Sequence, residues 1–474
     1  MFRLMLFVTV PFTAIYAMNR GPRPALGYAW FIAALLTPVW IIDSTTSLKL
    51  DFRSAAAIGS LAGFVLASKV DLPKRWLLAD TIASLLAMCI VFAQFRVGPF
   101  GPLTAPDILR RWLLPYVVGR LLFRSVRDIK ELMPVLSYIL MIISVYAIVE
   151  AVTKIHLVNK ILGKTYGLLE QGEGYRMGLK RAQGFTDHPI FFGALLVLLL
   201  PWAFECMRQA GTGEGPKWWH AVPLVVVGAL FGTVSRGPQL AGILTTSLVV
   251  FFRFRKWRLA MLLLGLVTVC GVYYGKDRIM EALGKVAGES DEDVRIILID
   301  GEEVEYTGTK HRVLLLSVYR NAIENAGWLG YGFHLRGVEV EEHLANRFGS
   351  IDCHYILFLL RYGYLTLALF VALGVCSLWC LVPIAWNPEL PHSFLAAGLV
   401  GAIGSVMLVL ASVWFAPDFG TMWLFSAGVA SSLHELPRTT LTKQSEKTAA
   451  IEQPTVPKKP VILHPKVHRT PRPL

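Results

Sequence analysis

Val222-Pro223-Leu224-Val225-Val226-Val227-Gly228-Ala229-Leu230-Phe231-Gly232-Thr233-Val234-Ser235-Arg236-Gly237-Pro238-Gln239-Leu240-Ala241-Gly242-Ile243-Leu244 sits inside a nearly unbroken apolar run from 219 to 252. As one helix that run would extend about 50 Å, against a hydrocarbon core of about 30 Å. Ser235-Arg236-Gly237-Pro238 divides it. Proline lacks a backbone donor and disfavours helix at the residue before it, so the stretch reads as two spans joined by a polar turn. An arginine at such a turn is costly near hydrocarbon, which marks it for function.

The rest of the chain repeats the pattern. Of 474 residues, 54% are apolar and 17% charged, and the mean hydropathy is +0.53. This excludes a soluble globular protein and predicts an all-α, polytopic transmembrane helix bundle. Candidate spans are 4–19, 24–43, 54–69, 75–95, 105–123, 132–152, 188–207, 219–234, 237–252, 257–275, 364–386, 392–414 and 419–434, about 12–14 spans in all. Residues 2–19 resemble a signal peptide, but no small-residue cleavage site follows and another apolar run begins almost at once, so they read as a span. The net charge of +13 does not indicate nucleic acid, because much of the basic charge lies in short inter-span loops and the tail. Five of the six cysteines (Cys89, Cys206, Cys270, Cys376 and Cys380) lie in apolar runs; Cys353 lies near an aqueous face. No disulfide or metal-ligand spacing is visible.

Three basic loops fall on one side of this arrangement: Lys69, Lys74 and Arg75; Arg124, Arg127 and Lys130; Arg253, Arg255, Lys256 and Arg258. That side is expected to be cytoplasmic. The basic, proline-rich tail 435–474 falls there too and is expected to be disordered, in reach of anionic lipid. Two long loops, 153–187 and 276–353, then face outward. The first carries Lys154, Lys160, Lys164, Arg176, Lys180 and Arg181 against the usual charge bias, which suits an anionic ligand. In the second, Asp300-Gly301 between residues 294–299 and 302–307 predicts a β-hairpin. Residues 311–326 read as an amphipathic helix on the membrane face, with a stripe of Val313, Leu316, Val318, Ala322 and Ile323. A glycine-rich turn, Gly327-Trp328-Leu329-Gly330-Tyr331-Gly332-Phe333, follows.

Arg181, Arg236 and Arg312 all lie at outward edges. Converging arginines would hold a lipid diphosphate through bidentate forks and stabilise charge on a leaving group. His354, in Asp352-Cys353-His354-Tyr355-Ile356-Leu357-Phe358-Leu359-Leu360-Arg361-Tyr362-Gly363, is a side chain whose unperturbed pKa lies near neutrality, which suits proton transfer from an attacking hydroxyl. Each residue also has a plainer reading: a snorkelling anchor for Arg236, loop charges for Arg181 and Arg312, a helix cap for His354. Asp291-Glu292-Asp293 matches an Asp-x-Asp metal motif, but beside Glu289 it reads as a solvated acidic loop. Glu150, near the outward end of its span, reads as an interfacial carboxylate or a partner for a cavity arginine. Asp80 reads as structural.

The ordered set carries more than its members. Arg181-Ala182-Gln183-Gly184-Phe185 with His188-Pro189 and Phe192-Gly193, then Thr233-Val234-Ser235-Arg236-Gly237, then Arg312 with Gly330-Tyr331-Gly332-Phe333, then His354-Tyr355-Ile356-Leu357 with Gly363, resembles the core of the O-antigen ligase and polymerase family over roughly 175–385. That family usually has asparagine after the histidine, where this chain has Tyr355. The resemblance implies three segments: N-terminal spans 1–174, a ligase-like core 175–434 containing the periplasmic loop 276–353, and the tail 435–474. It implies a bacterial inner-membrane, metal-independent glycosyltransferase. Such an enzyme moves a glycan from an undecaprenyl-diphosphate carrier to a hydroxyl acceptor, such as lipid A-core, at the periplasmic face. His354 would be the base or acceptor-orienting group, and Arg181, Arg236 and Arg312 would bind the donor diphosphate. A polymerase would share this donor site. A transporter would place charges deep in several spans or in matched broken helices, whereas here they gather at one face.

Overall fold

The computed structural model describes residues 2–38, 41, 50–67, 73, 75–98, 100–162, 174–176, 178–275, 295–299, 301–306, 310–341, 343–344 and 348–452. Lys69, Lys74, Lys164, the acidic run Glu289 and Asp291-Glu292-Asp293, the turn residue Asp300 and residues 453–474 lie outside them.

The chain is a transmembrane helix bundle, as its composition predicts. In order, α1 (Phe2–Arg20), α2 (Phe31–Leu36, entered through a π-helical turn Ala25–Trp30), α3 (Phe52–Leu66), α4 (Leu78–Val97), α5 (Thr104–Trp112), α6 (Leu114–Leu122) and α7 (Val126–Thr153) form the N-terminal part. Then come α8 (Pro189–Gly211), α9 (Val222–Gly232), α10 (Arg236–Arg253) and α11 (Arg258–Tyr274). After the outer loop come α12 (His311–Val318), α13 (Arg320–Asn325), α14 (His354–Trp386), α15 (Ser393–Val409) and α16 (Pro417–Glu452). Short helical turns at Pro22–Pro24, Leu157–Leu162, Lys217–Ala221 and Arg255–Trp257 and two small antiparallel hairpins, β1 (Tyr175–Arg176) with β2 (Leu179–Lys180) and β3 (Arg295–Ile299) with β4 (Glu302–Tyr306), complete the described elements.

Among the described residues, α4, α7, α8 and α14 are each long and apolar enough to cross a membrane, and α10 with 255–268, a pair bent by 114°, would make a fifth if taken as one span. Four further apolar helical stretches have 10–17 residues. The 12–14 spans expected from hydropathy therefore resolve into fewer full-length helices, because several apolar runs are broken. The run 105–123 splits at Leu113 into α5 and α6. The split accommodates its arginines: Arg110 pairs with Asp107 at 2.6 Å and Asp51 at 3.4 Å, and Arg120 with Asp80 at 2.9 Å and Glu435 at 3.0 Å. Buried charges persist only where paired in this way. α16 runs on to Glu452, into the segment expected as a disordered tail.

One apolar core joins the first 174 residues to the remainder. Trp30 stacks on Phe425 (centroids 4.7 Å apart), Phe31 meets Trp202 edge-on, and Phe123 stacks on Trp202. At one end of the bundle Arg120 and Arg124 pair with Glu435, and Arg75 donates its backbone N–H to the same carboxylate. Two of the basic loops expected on one side are thus brought together.

The outer loop packs on the start of α14. The β3–β4 register pairs Ile297 with Val304. Ile297 and Ile299 point inward and Ile296 and Leu298 outward, as a strand's period of two requires. The amphipathic helix expected over 311–326 breaks at Tyr319 into α12 and α13. Its buried face is Leu315, Tyr319 and Ala322, while Val313 and Leu316, expected in the apolar stripe, are exposed. The face is set by packing on Phe348 and Leu360 within the protein.

α14 is itself broken at Gly363 (φ 80°, ψ 178°). The break is filled by the glycine-rich turn: Tyr331 donates to the Leu360 carbonyl at 2.7 Å and Gly332 to the Arg361 carbonyl at 2.8 Å. A Cβ at Gly363 would lie 2.2 Å from the Trp328 backbone, so only glycine permits this approach.

Candidate functional site

The site grows from the Ser-Arg-Gly turn. Leaving α9, Val234 takes a positive φ of 46°, and α10 starts at Arg236 with Pro238 in its first turn. Pro238 packs directly on α8: a Cβ at Gly193 would lie 2.6 Å from the proline ring. Close approach of the two helices is what the Phe192-Gly193 pair allows.

Arg181 enters this turn from the preceding loop. It is 4% exposed and donates from Nη2 to Ser235 Oγ at 3.1 Å. Its backbone is held on both sides, Arg181 N–H bonding the Gly174 carbonyl at 2.8 Å and Ala182 N–H the Gly232 carbonyl at 2.9 Å. Two residues on, Gly184 N–H donates to Glu150 Oε2 at 3.0 Å. Glu150 is fully buried, and it anchors the loop that carries Arg181. We expect Glu150→Ala to orphan the Gly184 N–H and destabilise the loop by about 1–3 kcal/mol. Limited proteolysis near 174–188 tests this, and unchanged resistance would contradict it.

His188 caps α8, its Nδ1 accepting the Ile190 N–H at 3.1 Å. Burial, aided by the positive charge of Arg181, lowers its pKa to about 4, with Asp352 opposing and Arg176 adding to the shift. Arg181, Arg176 and Asp352 thus all lie within electrostatic reach of one half-buried imidazole. Next to it, burial raises the Asp187 carboxyl above its ordinary value against the pull of Arg53. Arg53 donates to the Pro417 carbonyl at 3.1 Å and pairs with Asp51 at 3.5 Å. It ties the start of α3 to that of α16, where Asp418 is 4% exposed and within electrostatic reach of Asp187 and Arg53.

His354 reaches this region through the 410–415 connection. Its backbone N–H donates to the Leu410 carbonyl at 2.9 Å, and the Phe415 backbone N–H donates to its Nδ1 at 3.3 Å. The same connection borders the Ser-Arg-Gly turn, since Gly237 lies against Ser412 and Val409. The imidazole is 3% exposed and boxed by Phe358, Phe370 and Phe415 at centroid distances of 4.8, 5.0 and 5.3 Å. With Nδ1 engaged as an acceptor, a neutral ring carries its proton on Nε2. Nε2 is buried and has no hydrogen-bond partner among the described residues. In this arrangement His354 offers a donor rather than a base. Tyr355, where the resembled family has asparagine, is committed elsewhere, donating to the Met407 carbonyl at 2.5 Å.

Of the residues singled out in the sequence, Arg181 and the turn bearing Arg236 are brought together, and His354 joins them through a shared loop. Arg236 itself is exposed. Arg312 stands on the exposed face of α12 and, among the described residues, makes no hydrogen bond or ion pair. Sequence reasoning assigned no role to Arg53, Asp187 or Asp418. A helix start at Asp-His-Pro was visible from proline in its first turn, whereas nothing local marks Asp418. Among the described residues no group of three histidine, cysteine, aspartate or glutamate side chains is placed to hold a metal ion.

Burial, with Lys180 adding to it, lowers the pKa of His156 to about 4 from an ordinary 6.5. Between those values the unfolded chain binds a proton that the folded chain does not, so the stability this group contributes is present above the unfolded pKa and lost as pH falls toward the folded one. We expect the His156 ring to stay uncharged as pH falls from about 7 to about 5, read by NMR of the detergent-solubilised protein. Protonation near the unperturbed value would contradict its burial.

No family model matches the chain, and no curated protein matches it. Among solved structures it is similar to a chain of a peptidoglycan synthase complex described as coordinating polymerization and crosslinking. The two are 18% identical over 76% of this chain and 98% of that one, with a TM-score of 0.36. A likeness this weak does not establish a common fold or a common role.

Proposed function

We propose that this chain is a membrane-embedded glycosyltransferase of the O-antigen ligase type. It takes a glycan from an undecaprenyl-diphosphate carrier and transfers it to a hydroxyl acceptor, such as lipid A-core, at the periplasmic face of a bacterial inner membrane. The observation that carries this reading is the buried Arg181 guanidinium bonded to Ser235, at the turn that presents Arg236 and borders the loop bonded to His354. Arg181 and Arg236 bind the donor diphosphate and stabilise the charge that develops as the sugar–phosphate bond breaks. Arg312 joins them only through movement of the outer layer, since α12 holds it exposed. His354 orients the acceptor hydroxyl through Nε2–H. It acts as a base only if Phe415 N–H first releases Nδ1. Because the donor already carries a good leaving group, positioning and charge stabilisation supply the chemistry.

The same donor site serves a polymerase, which differs in the acceptor it admits. Purified protein incubated with a polyprenyl-diphosphate-linked glycan and acceptor, without an ion gradient, tests the enzymatic reading. Turnover is expected; strict dependence on a gradient would point to transport. Arg236→Lys keeps the charge but loses the fork, and is expected to weaken donor binding by about tenfold. Unchanged donor affinity would remove Arg236 from the site.

A further inference from the structure

The end of α10 remote from Arg236 carries the densest run of cations among the described helix ends: Arg253, Arg255, Lys256 and Arg258. The 18 residues of α10 set its two ends about 25 Å apart, close to the thickness of a hydrocarbon core. At this far end the chain leaves α10, makes the short turn Arg255–Trp257 and enters α11, its axis bent by 114°. The corner brings Arg253, Arg255, Lys256 and Arg258 to the wall of one cavity of about 710 Å³. Facing them are Trp386, at the end of α14, and Asn387, Pro388 and Glu389 of the connection to α15.

Arg258 holds the cavity's walls together. Its Nε and Nη2 donate to the Phe251 and Phe252 carbonyls at 3.0 and 2.9 Å, which offsets the negative end of α10. The same guanidinium lies 4.2 Å over the Trp386 ring, and Phe252 meets that ring edge-on at 5.9 Å. Arg253, Arg255 and Lys256 are exposed and, among the described residues, their side chains make no ion pair or hydrogen bond. Glu389 is the one acidic residue in the lining, and among the described residues it pairs with none of them. Four cations against one carboxylate concentrate positive potential in the cavity and favour an anion there. Phe254, Trp257 and Trp386 are 49%, 53% and 46% exposed beside it. Exposed tryptophans at the end of a spanning helix sit at the headgroup level of a bilayer, so the anion within reach is a lipid phosphate.

We propose that this cavity is a headgroup site for an anionic phospholipid, on the side expected to be cytoplasmic, with the phosphate held by Arg253, Arg255 and Lys256. Basic recesses between spans on that side are a recurring form of headgroup site. The lipid phosphate relieves the repulsion among the three unpaired cations and so holds the corner between α10 and α11. The site lies across the membrane from Arg181, Arg236 and His354 and takes no part in the transfer proposed for them.

The test is native mass spectrometry of the full chain released from nanodiscs of mixed phosphatidylcholine and phosphatidylglycerol. Retained phosphatidylglycerol is expected to be enriched about tenfold over its share of the bilayer. Arg255→Gln with Lys256→Gln is expected to remove most of that enrichment, whereas Arg255→Lys with Lys256→Arg keeps the charge and retains it, which separates loss of charge from loss of fold. Arg75→Gln with Lys217→Gln removes two exposed cations from the same side but outside the cavity, and is expected to leave the enrichment unchanged. Equal losses in the two glutamine pairs would mean attraction to loop charge in general and overturn the site. Absence of enrichment in the wild type, or enrichment that survives Arg255→Gln with Lys256→Gln, overturns it as well. Displacement of the retained lipid by inorganic pyrophosphate, but not by added phosphatidylcholine, would overturn the lipid in favour of a soluble anion.

Discussion

Arg181→Ala is expected to lower kcat/KM for glycan transfer by about 10²–10³-fold while the protein remains inserted and monodisperse. Arg181 is the most buried of the three arginines, and its guanidinium is aimed by Ser235 Oγ at 3.1 Å. A donor fixed in a site shielded from water stabilises developing phosphate charge far more than an exposed one. Because the loop backbone is held independently by the Gly174 and Gly232 carbonyls, loss of the side chain removes the charge without releasing the loop. Arg181→Lys should fall between wild type and alanine, since it keeps the charge but not the fork. Steady-state kinetics on purified variants checks this. Wild-type turnover in a folded Arg181→Ala protein would take the residue out of the chemistry.

Gly363→Ala is expected to be the most damaging of the small substitutions, costing about 3 kcal/mol or more. Two penalties coincide there. A residue with a Cβ must adopt φ 80°, and that Cβ must lie 2.2 Å from the backbone of Trp328. Relief requires the glycine-rich turn to lift off, which would strand the Leu360 and Arg361 carbonyls now accepting from Tyr331 and Gly332. The outer layer should then detach from α14, and fluorescence-detected size exclusion after heating should show a lower apparent Tm. A variant as stable as wild type would show that this junction is not rigid.

The fold class was legible because membrane burial writes itself into long apolar runs. The Asp-Gly turn likewise marked the β3–β4 hairpin. What hydropathy did not reveal is where those runs break. The split at Leu113 accommodates Arg110 and Arg120, which find carboxylates far away in the chain, Asp51 and Glu435, and such partners are invisible to a sliding window. The buried face of α12 depended on Phe348 and Leu360, again a tertiary fact. At the site, arginines and a histidine at membrane edges stood out because charge there is costly. Arg53 and Asp418 did not, because they meet only when the starts of α3 and α16 are brought together. His354 was legible as a residue of interest, but the direction of its hydrogen bond was not: the Phe415 N–H that occupies Nδ1 comes from 61 residues away.

The most direct test of the central claim is a strain lacking this chain, complemented with wild type or His354→Ala, from which lipid-linked glycans and finished surface glycoconjugates are both extracted and sized. Glycan accumulating on the polyprenyl carrier, with bare acceptor, in the His354→Ala strain but not in wild type is the predicted result. Normal profiles in both fractions, with His354→Ala present in the membrane at wild-type level, would contradict it.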